Sequence, residues 1–207
     1  MERNRSVEGA RKKPSGAAVK SAKLTTALYR AFFEEWAERG FAAVSLERVA
    51  AKAGAGKAAI YRRFSSRQEF AAAAVTELGL TIAMPEDTGS LEADVLAFLI
   101  RLRAVLRHPL IRRILPDLHA EAARSPEMRI LNTRVAEARR AQAQVILERA
   151  IKRGELDAAV DRDLALDLLP AALYWRMVVL GISPTRDQLA AEAAAIVAAL
   201  QASMRTS

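Results

Sequence analysis

Cysteine is absent from the 207 residues, which excludes disulfides and thiolate metal sites and fits a reducing compartment. Aromatic residues are scarce at 5%, while hydrophobic residues reach 52% and alanine is abundant. Aromatics favour strands and alanine is the best helix former, so the composition points to an all-α fold. Long apolar runs are missing too. The most apolar stretch, residues 168–175, ends at Arg176, far short of the ~20 residues that a bilayer crossing requires. Residues 1–20 are polar and basic and lack the apolar segment of a secretory signal, so we read the chain as cytoplasmic, with no membrane partner. Histidine occurs only as His108 and His119, with Pro109 and Pro116 between them and no carboxylates repeating at ligand spacing. No metal site is expected. No Glu-x-x-His pair, Gly-rich phosphate loop or supported Ser/His/Asp set occurs, so neither a cofactor nor an enzyme activity is expected.

Charge is present, and it is unevenly placed. Residues 1–78 hold 15 Lys and Arg against 8 Glu, whereas the remainder holds 17 basic against 16 acidic residues. Nearly all of the net +8 therefore lies in the first two-fifths of the chain. That asymmetry suits an N-terminal region that meets a polyanion, either nucleic acid or an anionic membrane surface.

Punctuation along the chain divides it into three parts. Residues 1–20 read as a disordered basic arm, residues 21–82 as an N-terminal three-helix bundle and residues 90–207 as a C-terminal helical domain, with a linker over 84–90. The first helix begins near Ser21, with Leu24, Leu28, Phe32 and Trp36 on one face, and stops at Gly40. Ser45 caps the next, with Val44 and Val49 spaced as a staple across the cap. Gly54 and Gly56 bracket a tight turn before a second short helix over 57–64, and Ser66-Arg67-Gln68-Glu69 reads as a capping box opening a third. In the second half, a helix over 91–107 precedes one after Pro109 that is expected to kink or break at Pro116. Ser125-Pro126-Glu127 starts a long helix ending at Gly154. Asp161 caps a helix containing Pro170, and Ser183-Pro184 opens the last, whose stripe is Leu189, Ala193, Ile196, Val197 and Leu200.

The most informative spacing is Ala50-x3-Gly54-x5-Ile60 within residues 45–64. A small residue at 50 lets two helices cross closely, glycine at 54 accepts a positive φ, and Ile60 closes the core against Val49. This is a helix-turn-helix pattern whose second helix is free to enter a major groove. Its outer face carries Lys57, Ala58, Ala59, Tyr61 and Arg62. Lys57 and Arg62 can donate to guanine or phosphate, the Tyr61 hydroxyl can reach a phosphate, and Arg67 places charge beside a helix N-terminus. An ordinary helical hairpin, with Tyr61 in the core, would also explain the bare spacing.

Residues 27–78 resemble the DNA-binding domain of the tetracycline-repressor (TetR) family. The likeness is carried by residues 36–41 (WAERGF), 45–50 (SLERVA), 53–57 (AGAGK) and 60–64 (IYRRF). It implies DNA contact by Ser45, Lys57, Ala58, Ala59, Tyr61, Arg62 and Arg67, with Arg63 a further candidate. Departures from the family pattern are Gly56 in place of a polar cap, Ala59 in place of a threonine, the acidic Glu47, and Arg62-Arg63 in place of ring side chains. The resemblance also implies a homodimer formed through the helices at 161–180 and 184–203, reading a palindromic operator on double-stranded DNA. Residues 153–156 (RGEL), with Asp161 and residues 164–175, resemble one subset of the family. The family likeness further implies an unknown small-molecule effector bound among the central helices. Candidate pocket residues are Leu102, Val105, Leu115, Leu118, His119, Val135, Gln142, Leu173, Tyr174 and Met177, each of which core packing would also explain. The reading is thus a sequence-specific regulator, expected to be a repressor released by a mainly apolar ligand. A helical enzyme or ligand-storage bundle, and a membrane-surface protein anchored by its arm, are the alternatives.

Overall fold

The computed structural model describes residues 16–80 and 86–202, with side chains described from Ala22 to Glu77 and from Glu86 onward. The expected arm at 1–15 and part of the linker lie outside the described residues. Every described element is helical: α1 (Gly16–Arg39), a 3₁₀ turn (Phe41–Ala43), α2 (Leu46–Lys52), α3 (Ala58–Tyr61), α4 (Arg67–Leu80), α5 (Leu91–Arg107), α6 (Pro109–Ala122), α7 (Pro126–Lys152), α8 (Arg162–Tyr174), a π turn (Trp175–Val179) and α9 (Arg186–Ala202).

The N-terminal unit is built around its aromatics. Phe32, Trp36, Phe41 and Phe70 are fully buried. Phe32 sits edge-on to Phe70 at 5.1 Å and to Trp36 at 5.6 Å, and Phe64 edge-on to Phe70 at 4.9 Å. Such pairs contribute ~0.5–1.5 kcal/mol each beyond their burial. Eight of the eleven aromatics of this aromatic-poor chain lie before residue 71, where a small helical unit must build a core from little material.

In the C-terminal unit α5 packs against α7, α8 and α9, and α6 lies across α1 and α7. The two units share one buried cluster running from Leu28 to Leu200. The residues 153–156 prove to be a joint. Gly154 takes φ +76, and the Glu155 and Gly154 N–H groups donate to the Ala150 and Ile151 carbonyls, sealing the end of α7. Arg153 then ion-pairs with Asp87, Glu155 and the buried Asp94, while Glu155 accepts from the Leu91 N–H at the start of α5. Burial pushes the Asp94 carboxyl up, but two hydrogen bonds from Thr88 and the Arg153 guanidinium outweigh it and hold the group below its usual range.

Several local expectations change. The first helix reaches back to Gly16, so residues 16–20 are helix rather than arm. The helix after Pro109 continues unbroken through Pro116. The last helix is opened by Thr185, whose Oγ1 accepts from the Gln188 N–H while Gln188 Oε1 accepts from the Thr185 N–H; Ser183 and Pro184 precede that box. The α9 stripe of Leu189, Ala193, Ile196 and Leu200 is buried within the subunit against α5, so it is not the face available to a second copy. Among the described residues, no helix is long and apolar enough to cross a membrane.

Candidate nucleic-acid interface

Ser45 Oγ accepts from the Arg48 N–H at 3.3 Å and so caps α2, leaving Val49 and Ala50 buried beneath α3. At the other end of α2 the Gly54 N–H donates to Ala51 and the Ala55 N–H to Ala50, with Gly54 at φ +68. This paired closure requires the left-handed conformation that only glycine adopts without strain. It turns the chain within three residues, so that α3 lies across α2 with Ile60 fully buried at the crossing. No side chain caps α3, as Gly56 foreshadowed. Its first turn is held instead by the Ala59 N–H donating to the Gly56 carbonyl.

With Ile60 inward, Lys57, Ala58, Tyr61 and Arg62 are exposed and Ala59 is half-buried. Two of these side chains converge on one acid. Glu47 Oε1 accepts from Lys57 Nζ at 2.8 Å and from the Tyr61 hydroxyl at 3.1 Å, and Glu47 Oε2 accepts from Ser45 Oγ at 2.9 Å. Hydrogen bonds from Lys57, the α2 backbone, Ser45 and Tyr61 hold the Glu47 carboxyl down at about 2. The same contact raises Lys57, so both groups are ionised at neutral pH.

Most other cations of this unit are committed to the scaffold. Arg48 Nε donates to the buried Glu35 at 2.6 Å and its Nη2 to the Ala43 carbonyl, while Lys52 pairs with Glu38. Arg63 is exposed and donates to Thr25 Oγ1 on α1. Arg67, an expected phosphate contact, also makes contacts within the fold. Its Nη1 donates to the Ala42 and Val44 carbonyls, its guanidinium lies 4.7 Å over the Phe41 ring, and its Nε is buried. Arg62 has no hydrogen bond or ion pair among the described residues and is exposed. The capping box at Ser66 is half realised: Glu69 N–H donates to Ser66 Oγ, but the Glu69 carboxylate reaches back to Ser65 N and Oγ, both at 2.7 Å.

One residue that the sequence offered no reason to single out joins this unit to the rest. Asp117, on α6, accepts with one oxygen from Trp36 Nε1 at 2.7 Å and from the Phe41 N–H at 2.8 Å. These partners are 81 and 76 residues away in the chain, beyond the reach of any local pattern.

Behind this interface, α5, α7 and α8 enclose a cavity of about 350 Å³. Of the expected pocket residues Leu102, Val105, Gln142 and Tyr174 line it. Leu115 and Met177 instead line a separate recess of about 110 Å³. Leu118 and Leu173 are core, Val135 is half-buried away from either space, and His119 pairs with the Tyr174 hydroxyl from outside the cavity wall. Lining residues missed from sequence include Phe98, Arg101, Arg139, Arg140 and Asp167. His108 caps α6, its Nδ1 accepting from the Leu110 N–H. Among the described residues, no three metal-ligating side chains cluster.

A capped, glycine-turned helix pair that exposes a basic, small-residue face at the end of a helical bundle defines a helix-turn-helix regulator that binds DNA. Comparison with known proteins agrees. Residues 27–74 match the model for bacterial regulatory proteins of the tetR family, and residues 85–199 match the model for a tetracyclin repressor-like C-terminal domain. An uncharacterized HTH-type transcriptional regulator of Mycobacterium tuberculosis is 35% identical over 157 residues, covering 74% of this chain and 76% of that relative. A DNA-binding transcriptional repressor, TetR, of Mycobacteroides abscessus is 31% identical over 148 residues, covering 69% and 75%. Salmonella enterica GusR superposes with a TM-score of 0.65 at 21% identity, over 94% of this chain and all of that one. The chain belongs to the TetR family of bacterial transcription regulators.

Proposed function

We propose that the protein is a homodimeric repressor that holds a palindromic operator through two copies of α3 and releases it when a small ligand enters the cavity between α5, α7 and α8. The observation that carries this is the exposed face of Lys57, Ala58, Tyr61 and Arg62, with the half-buried Ala59 beside them, Arg62 uncommitted and the alanines permitting close approach to base edges. Ser45 and Arg63 stand at the margins of that face and contact the backbone. Arg67 acts by holding the 3₁₀ turn in place.

Dimerisation is supported by what the subunit leaves uncovered. Trp175, Val179, Leu180 and Ile182 are each at least half exposed around the π turn. On α9, Ala191, Ala194, Ala195, Ala198 and Ala199 are exposed and small enough for close helix approach. Coupling is supported by α6, which touches the cavity wall through His119 and Tyr174 and the helix-turn-helix unit through Asp117. A ligand that favours one position of α6 shifts the spacing of the two recognition helices. The role is therefore binding in the cytoplasm, without turnover.

Selection of bound duplexes from random DNA, followed by binding at two salt concentrations, tests the proposal. A recovered inverted repeat, bound with a steep salt dependence and lost in Lys57→Ala with Arg62→Ala, is expected. Equal preference in mutant and wild type would overturn it.

A further inference from the structure

The cavity carries a charge that its apolar lining does not explain. Three arginines reach it, and they are not equivalent. Arg140 is neutralised by Asp163 at 2.6 Å and by Asp167. Arg101 stands at the rim. Its Nη2 lies 3.9 Å from Glu86, a loose surface pair, while its Nη1 is buried with no partner among the described residues. Arg139, on α7, is half-buried and has neither a hydrogen bond nor an ion pair among the described residues; it shares the cavity lining with Phe98, Leu102 and Val105. Burial bears on the Arg139 guanidinium strongly enough to lower it. Its uncompensated charge is also felt by its neighbours, opposing protonation of His119 and countering the upward push of burial on Tyr174.

A guanidinium in an apolar cavity is costly unless it finds an acceptor, and the folded chain supplies none to Arg139. Resting on the reading of this cavity as the effector site, we infer that the effector is an amphipathic organic acid: a carboxylate received by Arg139 with Arg101, on an apolar body lying against Phe98, Leu102 and Val105. Ionic pairing in a space partly shielded from water favours planar, two-pronged recognition by arginine. The volume of about 350 Å³ lies within the small-molecule range. Neutral molecules of the same shape would leave the guanidinium stranded and bind more weakly.

The test uses the full-length protein and matched probe pairs: n-alkanoates against n-alkanols of equal length, and naphthoate against naphthalenemethanol. Calorimetry should show the acid of at least one pair binding ~10–100-fold tighter than its alcohol. Arg139→Gln should erase that preference and Arg139→Lys should restore part of it. Because it removes a half-buried charge that lacks a partner, Arg139→Gln should also raise the melting temperature of the ligand-free protein. Ala136→Trp fills the cavity from an exposed position and should abolish binding of every probe. If acids and alcohols bind equally and Ala136→Trp blocks both, the cavity is a ligand site but the carboxylate inference is wrong. If no acid binds, or if binding survives Ala136→Trp, both the inference and the assignment of the cavity fail.

Discussion

Replacing Glu47 by glutamine keeps the shape of the side chain and removes its charge, and the consequences can be worked from three distances. Lys57 Nζ lies 2.8 Å and the Tyr61 hydroxyl 3.1 Å from the same carboxylate oxygen, with Ser45 Oγ at 2.9 Å from the other. In the free protein the ammonium therefore has its counter-ion within the fold, and contact with phosphate is an exchange of one anion for another. Such an exchange releases fewer condensed cations from DNA than a free lysine would. Freeing Lys57 adds about one phosphate contact per subunit, and each contact steepens log K against log salt by ~0.9. A dimer should thus gain a slope of ~1.8, so the advantage of Glu47→Gln over wild type should shrink roughly tenfold between 50 and 200 mM salt. Tyr61 and Lys57 also lose the group that orients them, so affinity for random duplex should rise more than affinity for the operator. Fluorescence anisotropy with operator and scrambled duplexes across a salt series measures both quantities. An unchanged slope together with an unchanged operator preference would refute the reasoning, because it would mean that the carboxylate neither occupies Lys57 nor aims it.

Three other outcomes follow from the same geometry. Asp117→Ala strands the indole N–H of buried Trp36 and the N–H of Phe41, at ~1–3 kcal/mol for each donor; urea unfolding should reveal the loss, and a value within error of wild type would remove Asp117 from the joint between the units. Gly54→Ala meets no neighbour within 4 Å, so its whole cost is a left-handed φ of +68, ~1–2 kcal/mol, and Gly54→Asn should lose less; equal melting of all three forms would contradict the assigned strain. His119 is lowered by burial first and by Arg139 second, so the folded protein binds its proton less readily than the unfolded chain. Stability should be full above about pH 6.5 and decline as pH falls below it, in a window above that of the carboxylates. His119→Gln should flatten that part of the thermal profile, whereas an identical decline would assign it elsewhere.

What could be read in advance was local. Ser45, Gly54 and the burial of Ile60 depend on near neighbours in the chain, and each does what its spacing suggested. The all-α fold follows from the same local signals repeated along the chain. Long-range geometry was not legible. Arg67 resembles a phosphate ligand by position, yet Ala42, Val44 and Phe41 are brought beside it only by folding. The α9 stripe is a true amphipathic signal, but period alone does not say whether the apolar face meets α5 or a second subunit. Arg101 and Arg139 were passed over because a charged residue on a helix reads as surface; only folding puts Arg139 on the wall of a cavity that α5 and α8 also line. Glu47 lay between these cases: its acidity stood out, but not the two side chains that it would gather.

Hydroxyl-radical footprinting of the selected operator, with the mass of the complex measured by light scattering on the same sample, addresses the central claim directly. Two subunits per duplex should protect two patches on one face of the DNA, about one helical turn apart, related by the symmetry of the site. A single subunit per duplex, or protection unaffected by loss of the Lys57 and Arg62 side chains, would contradict it.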